Sequence, residues 1–161
     1  KKLETKCDPE KMIQLKKKNN VMPKNISTIL INNSRQKVWD CITRPEFVKQ
    51  WQYESELMTD WITGHKISFR SEWEGKYYEQ WGTVLSYNPP ESLSYSLFAP
   101  RPGLEDKPEN YFIMHYKLTA VDGRTRLEII QEDQRPHAVQ EPPQGEENPV
   151  LRQLKALVEE I

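Results

Sequence analysis

The run from Ile29 to Trp51, I-L-I-N-N-S-R-Q-K-V-W-D-C-I-T-R-P-E-F-V-K-Q-W, restricts the fold more tightly than any other stretch of this chain. Ile29 to Ile31 is apolar and rich in β-branched residues, as a buried strand requires. Ser34 stands where a helix N-cap belongs, its hydroxyl able to accept one of the first free backbone N–H groups. Val38, Trp39 and Ile42 then recur at helical spacing. Pro45 ends that helix, because a proline disfavours α geometry in the residue before it. Phe47, Val48 and Trp51 form a second short apolar face. A strand must therefore pass straight into two short helices separated by a proline break.

The centre of the chain alternates with a period of two. Ile67, Phe69, Ser71 and Trp73 alternate with Lys66, Ser68, Arg70 and Glu72, the pattern of a half-buried strand. Glu74-Gly75-Lys76 reads as its hairpin turn, and Tyr77 to Tyr87 as the returning strand. Leu93, Tyr95 and Leu97 mark a third strand of this group, and Phe112, Met114, Tyr116 and Leu118 a fourth. Leu127 and Ile129 face inward in a fifth, after the Asp122-Gly123 turn. With Ile26–Ile31 these make six strands at hairpin-like spacing, hence an antiparallel sheet. Gln134 to Asn148 carries three prolines and reads as a loop. Asn148 caps and Pro149 starts a final helix. Val150, Leu154, Leu157 and Ile161 lie on one of its faces, with Leu151 and Val158 beside them.

The order is β-α-α-β-β-β-β-β-α. The last helix must bury its stripe on the concave face of the sheet. A curved sheet and one helix cannot close fully on each other, so a cavity is expected between them.

The segment Val38-Trp39-x-x-Ile42-Thr43-x-Pro45-Glu46-x-Val48-Lys49-Gln50-Trp51 resembles the activator of Hsp90 ATPase homologue 1-like family, within the START/Bet v 1-like (SRPBCC) superfamily. The resemblance continues through Trp61-Ile-Thr-Gly64, Gly82-Thr-Val84, Asn88-Pro-Pro90 and Leu93-Ser-Tyr95. It then takes in the acidic loop Glu105-Asp-Lys-Pro-Glu-Asn110, the strand Met114–Leu118, and Asp122-Gly123 with Thr125-Arg-Leu127. It spans about Ile26 to Ile161. It implies an α+β helix-grip fold: a six-stranded antiparallel curved sheet, two short helices after the first strand, and a C-terminal helix over the concave face. This fold hosts many unrelated activities, so the resemblance by itself assigns none.

Bulk properties narrow the partners. The chain has 161 residues, with 23 Lys and Arg against 24 Asp and Glu and a net charge of −1. Residues 24–161 are expected to form one domain. Residues 1–23 are read as an N-terminal extension with a short helix, capped at Asp8-Pro9 and bearing Met12, Ile13 and Leu15. Near-neutral charge gives no global drive toward nucleic acid. No apolar run approaches the ~20 residues of a membrane span, and no secretory leader is visible. Two cysteines, Cys7 and Cys41, are no disulfide framework, so a cytoplasmic location is expected. His65, His115 and His137 share no ligand spacing. No metal or other cofactor is expected.

Aromatic strands suggest a pocket. Trp51, Phe69, Trp73, Trp81, Tyr95, Met114 and Tyr116, with Leu154 and Val158 of the last helix, are the candidate cavity residues. They form either an apolar ligand pocket or a core packed by its own side chains. Superfamily relatives hold lipids, hormones or polyketides in this place, which implies an apolar small-molecule ligand here and binding rather than catalysis. Two other readings stay open. One is an Hsp90-type chaperone cofactor. The other is a cyclase- or dehydratase-like enzyme, which needs an ionisable group inside the cavity, whereas Arg70 and Glu72 have the parity of the solvent face. The acidic loop reads as a turn in which Asp106 and Asn110 bond local backbone, or else as a lid or partner contact at the pocket mouth.

Overall fold

Ser34 does cap the first helix. Its hydroxyl accepts from the Lys37 amide at 3.3 Å, and helix α1 runs Arg35–Thr43. Pro45 stands at the first turn of α2, Pro45–Trp51. Two indoles fasten this pair. Trp51 Nε1 donates to the Cys41 carbonyl at 2.8 Å, and Trp61 Nε1 donates to the Thr43 carbonyl at 2.9 Å. Cys41 itself is fully buried. Burial first, and the neighbouring Asp40 second, push its thiol up to about 11, so it packs as a small apolar group and stays protonated.

The computed structural model describes residues 23–161, so the helix expected within residues 1–23 lies outside the described part except for Pro23. The strands are β1 Lys24–Ile31, β2 Glu56–Met58, β3 Lys66–Trp73, β4 Lys76–Asn88, β5 Ser92–Leu97, β6 Phe112–Val121 and β7 Arg124–Asp133. They form one antiparallel sheet in the order β1-β7-β6-β5-β4-β3-β2. The fold is the expected α+β arrangement of a curved sheet and helices, but with seven strands in place of six. The added strand is β2, whose Leu57 pairs with Phe69 of β3. Three residues with one buried side chain are too few to display a period of two.

Both expected hairpins turn on a pair of left-handed residues: Glu74 and Gly75 at φ 50° and 76°, Asp122 and Gly123 at φ 48° and 80°. That twist matches the flanking strands. The Pro-rich loop covers the free edge of β1. The Thr28 amide donates to the Gln144 carbonyl at 3.0 Å, and the Gln144 amide donates to Ile26 at 2.9 Å. An otherwise unpaired edge is thereby removed.

Helix α3, Pro149–Glu160, is capped by the Asn148 side chain, which accepts from Val150 and Leu151 amides. Its buried stripe is Leu151, Leu154 and Val158, while Ile161 is 42% exposed. The stripe is turned by one residue from the expected Val150–Leu154–Leu157–Ile161 line. Asn33, just after β1, holds this end of the helix by donating to the Val158 carbonyl at 2.8 Å. No helix among the described residues is long and apolar enough to cross a membrane.

Curvature is concentrated in β4. Its pairing with β5 shifts register between Val84 and Ser86. The bulge sends Leu85 outward and lets both Val84 and Tyr87 face in. Tyr87 there stacks on Trp61, ring centroids 5.3 Å apart, and lies 5.4 Å from Trp39. Two residues before Val84, a Cβ built on Gly82 would lie 1.7 Å from the Ser96 carbonyl oxygen. Only glycine lets the two backbones approach so closely. Gly82→Ala is therefore expected to cost about 1–3 kcal/mol. It would appear in urea denaturation as a lower midpoint at unchanged slope.

Candidate functional site

Alternation along four curved strands brings one set of side chains to the concave face. Phe69 and Ser71 come from β3, Tyr78 and Gln80 from β4, Tyr95 and Leu97 from β5, and Phe112, Met114 and Tyr116 from β6. Gln131 of β7 joins them. The turn after α2 adds Gln52, Tyr53 and Ser55, and Val150 closes the side nearest α3. Together they line a half-open cavity of about 310 Å³, at the small end of the usual ~300–1,000 Å³ for ligand pockets.

At its floor the Tyr95 and Tyr116 hydroxyls lie 3.4 Å apart. Their rings meet edge to face, centroids 6.1 Å apart at 88°, and Phe69 packs 5.7 Å from Tyr95 on the other side. Both tyrosines are buried, 3% and 4% exposed. Burial pushes the Tyr95 hydroxyl well above its ordinary pKa, and the neighbouring Tyr116 adds to the rise. Burial also raises Tyr116, partly offset by hydrogen bonds from Tyr95 and the Gln52 side chain. Among the described residues, none of those lining the cavity is an Asp, Glu, His, Lys, Arg or Cys. The wall is aromatic and aliphatic, punctuated by hydroxyls and amides.

Phe69, Tyr95, Met114 and Tyr116, picked out from sequence, come together here. The other candidates stand elsewhere. Trp51, read as a cavity residue, is 2% exposed in the core, where its indole fastens α2 to α1. Leu154 and Val158 are fully buried in the core and are not among the cavity-lining residues. Trp73 keeps the inward parity of β3 but lies at the hairpin tip, 68% exposed. Trp81 points to the convex face, because Gly82 takes the inward position at that level of β4. There its ring packs 5.4 Å from Phe98.

The acidic loop folds onto the same convex side. The Asn110 side chain closes the turn by donating to the Glu105 carbonyl at 2.8 Å. The Asp106 carboxylate accepts from Trp81 Nε1 at 2.9 Å and from the Tyr111 hydroxyl at 2.6 Å. Asp106 thus bonds side chains rather than the local backbone, and beside Thr83, Leu85 and Ser96 it lines an outer groove, not the cavity. Arg70 lies over the outward Tyr77 ring at 4.0 Å. His115 sits on the outer face with Nε2 3.4 Å from the Glu132 carboxylate. Among the described residues no cluster of three or more His, Cys, Asp or Glu is placed to hold a metal ion.

The cavity residues that sequence reasoning did not single out are mostly polar. Gln80, Gln131 and Gln52 give no signal of their own, because an amide on a strand or turn reads as the wet side. Leu97 and Phe112 did carry inward parity, which was the available signal.

The chain matches a model of the family described as activator of Hsp90 ATPase homolog 1-like protein over residues 32–159. A protein of Cytophaga hutchinsonii, solved in solution, is 34% identical, covering 68% of this chain and 75% of its own, with a TM-score of 0.60. A crystal structure from Chromobacterium violaceum is 21% identical over 84% of this chain and 96% of its own, TM-score 0.66. One from Mesorhizobium loti is 17% identical over 85% and 97%, TM-score 0.63. These last two bear on the fold alone. No curated protein matches the chain.

The tyrosine pair makes the cavity visible in alkali. The folded-state pKa of each is raised above the ordinary tyrosine value. The native state therefore holds these protons after the unfolded chain has released them. Stability is full below pH ~10 and falls above it by about 1.4 kcal/mol per pH unit for each group, until the folded pKa is passed. Tyr95→Phe/Tyr116→Phe is expected to flatten that fall, measured by urea denaturation across pH 9–12. Absorbance titration of the wild type is expected to show Tyr95 and Tyr116, with Tyr111, which burial and the Asp106 carboxylate also raise, ionising later than an exposed tyrosine.

Proposed function

This chain belongs to the activator of Hsp90 ATPase homolog 1-like family, and we propose that it is a binding protein that holds a hydrophobic small molecule between its sheet and C-terminal helix, without transforming it. The observation that carries this reading is the cavity wall: about 310 Å³, apolar and aromatic, with neutral polar anchors and, among the described residues, no Asp, Glu, His, Lys, Arg or Cys lining it. Such walls suit retention, since apolar contact supplies affinity and a few hydroxyls and amides orient the guest. Membership of a superfamily that commonly holds hydrophobic ligands supports the same reading.

An enzymatic role needs a group that exchanges protons near neutral pH. The tyrosines are the ionisable groups at the cavity floor, and burial moves them away from that range. The chaperone-cofactor alternative draws on the family description alone. Unchanged ATP turnover by a purified Hsp90-type chaperone, with no co-sedimentation, would remove it.

The proposal predicts that the uncharged fluorophore N-phenyl-1-naphthylamine brightens on binding and that native mass spectrometry shows one ligand per chain. Met114→Trp, which adds a ring to the middle of the wall, is expected to weaken binding at least ~10-fold while the far-UV spectrum stays unchanged. Binding that is untouched by this substitution would contradict the cavity as the site.

A further inference from the structure

The hydrogen-bonding inventory of the cavity floor says more about the guest. A tyrosine hydroxyl carries one proton and a glutamine amide two. Tyr95 and Tyr116 share one contact, their hydroxyls 3.4 Å apart, and the Gln52 side chain lines the same cavity. That contact uses one of the two hydroxyl protons, so one donor remains unspent whichever way the bond runs. A buried donor without a partner is costly, and an acceptor on a ligand would relieve that cost.

Charge tells the other half. Among the described residues no cationic side chain lines the wall. The guanidinium of Arg135 stacks over Phe112, 5.3 Å from its ring centroid, but it is already committed. Its Nε and Nη2 donate to the two oxygens of Asp133 at 2.8 and 2.6 Å. A carboxylate entering the cavity would lose its hydration and meet no unspent positive charge.

We propose that the cavity selects uncharged ligands presenting a hydrogen-bond acceptor, such as a carbonyl or ether oxygen on an apolar frame, and rejects carboxylates of the same size. This rests on the cavity being the ligand site. Fatty acids and other apolar acids are thereby disfavoured, and their neutral counterparts admitted. The Tyr95–Tyr116 pair, with Gln52, is the specificity-determining group.

Three probes on one bicyclic frame test it with the full chain at neutral pH. They are 2-acetylnaphthalene, 2-ethylnaphthalene and 2-naphthoate, each displacing N-phenyl-1-naphthylamine. The acetyl compound is expected to bind about tenfold tighter than the ethyl compound, the worth of one hydrogen bond. The naphthoate is expected to bind weakest, by ~100-fold against the acetyl compound. In Tyr95→Phe/Tyr116→Phe the acetyl-to-ethyl ratio should fall toward one. Tyr116→Phe alone, which leaves the Tyr95 hydroxyl free to donate, should lower the ratio less than the double variant. Naphthoate binding as tightly as the acetyl compound, or an acetyl preference that survives both variants, would overturn this proposal and leave the ligand site standing. Binding by none of the three would overturn both.

Discussion

The approach of Gly82 to the Ser96 carbonyl sets the curvature on which the rest of the molecule depends. No side chain fits between the two backbones there. The bulge after Val84 adds to the bend. Strands β3 and β4 consequently lean over the concave face instead of continuing flat. A flat sheet would let α3 lie against it and expel all space. The curved one leaves a volume that α3 covers only in part, since Leu151, Leu154 and Val158 fill the end nearer β1 and the short helices. The cavity lies at the other end, behind Gln52 and Tyr53.

The helices are held by polar bonds rather than by bulk packing alone. Two indole N–H groups donate to backbone carbonyls of α1, and Asn33 donates to the end of α3. Each such bond is worth about 1 kcal/mol net. The larger effect is on position, since a buried carbonyl left without its donor costs more than the bond returns. Position matters because Gln52, the residue after Trp51, lines the cavity beside Tyr116. The tryptophan that fastens α2 thereby places the amide at the cavity. Held in this way, the floor presents donors in a dry and uncharged setting, where hydrogen bonds and unpaired charges both weigh more than in water.

Much of the architecture was legible in the residue pattern. Ser34, Pro45, Glu74-Gly75, Asp122-Gly123 and Asn148-Pro149 each act through their own local chemistry, so their positions translate directly into caps and turns. Strand parity likewise placed Phe69, Tyr95, Met114 and Tyr116 together. What escaped depends on the third dimension. Strand β2 is too short to carry a period. Trp73 has the correct parity, but the sheet outruns its cover at the hairpin tip. Trp81 is large and apolar, yet its size says nothing about which face it occupies, and Gly82 beside it holds the inward place. Gln80 and Gln131 look like solvent-facing residues until curvature turns their face into a wall.

Where a neutral aromatic guest sits is the most direct test of this account. Two-dimensional NMR of the chain, titrated with 2-acetylnaphthalene, reads the binding surface residue by residue. The account predicts shifts and ligand contacts concentrated on the side chains of Phe69, Tyr95, Met114 and Tyr116, with the Trp81 indole unmoved. Contacts confined to Trp81, Tyr111 and the outer groove, with the inner tyrosines silent, would contradict it.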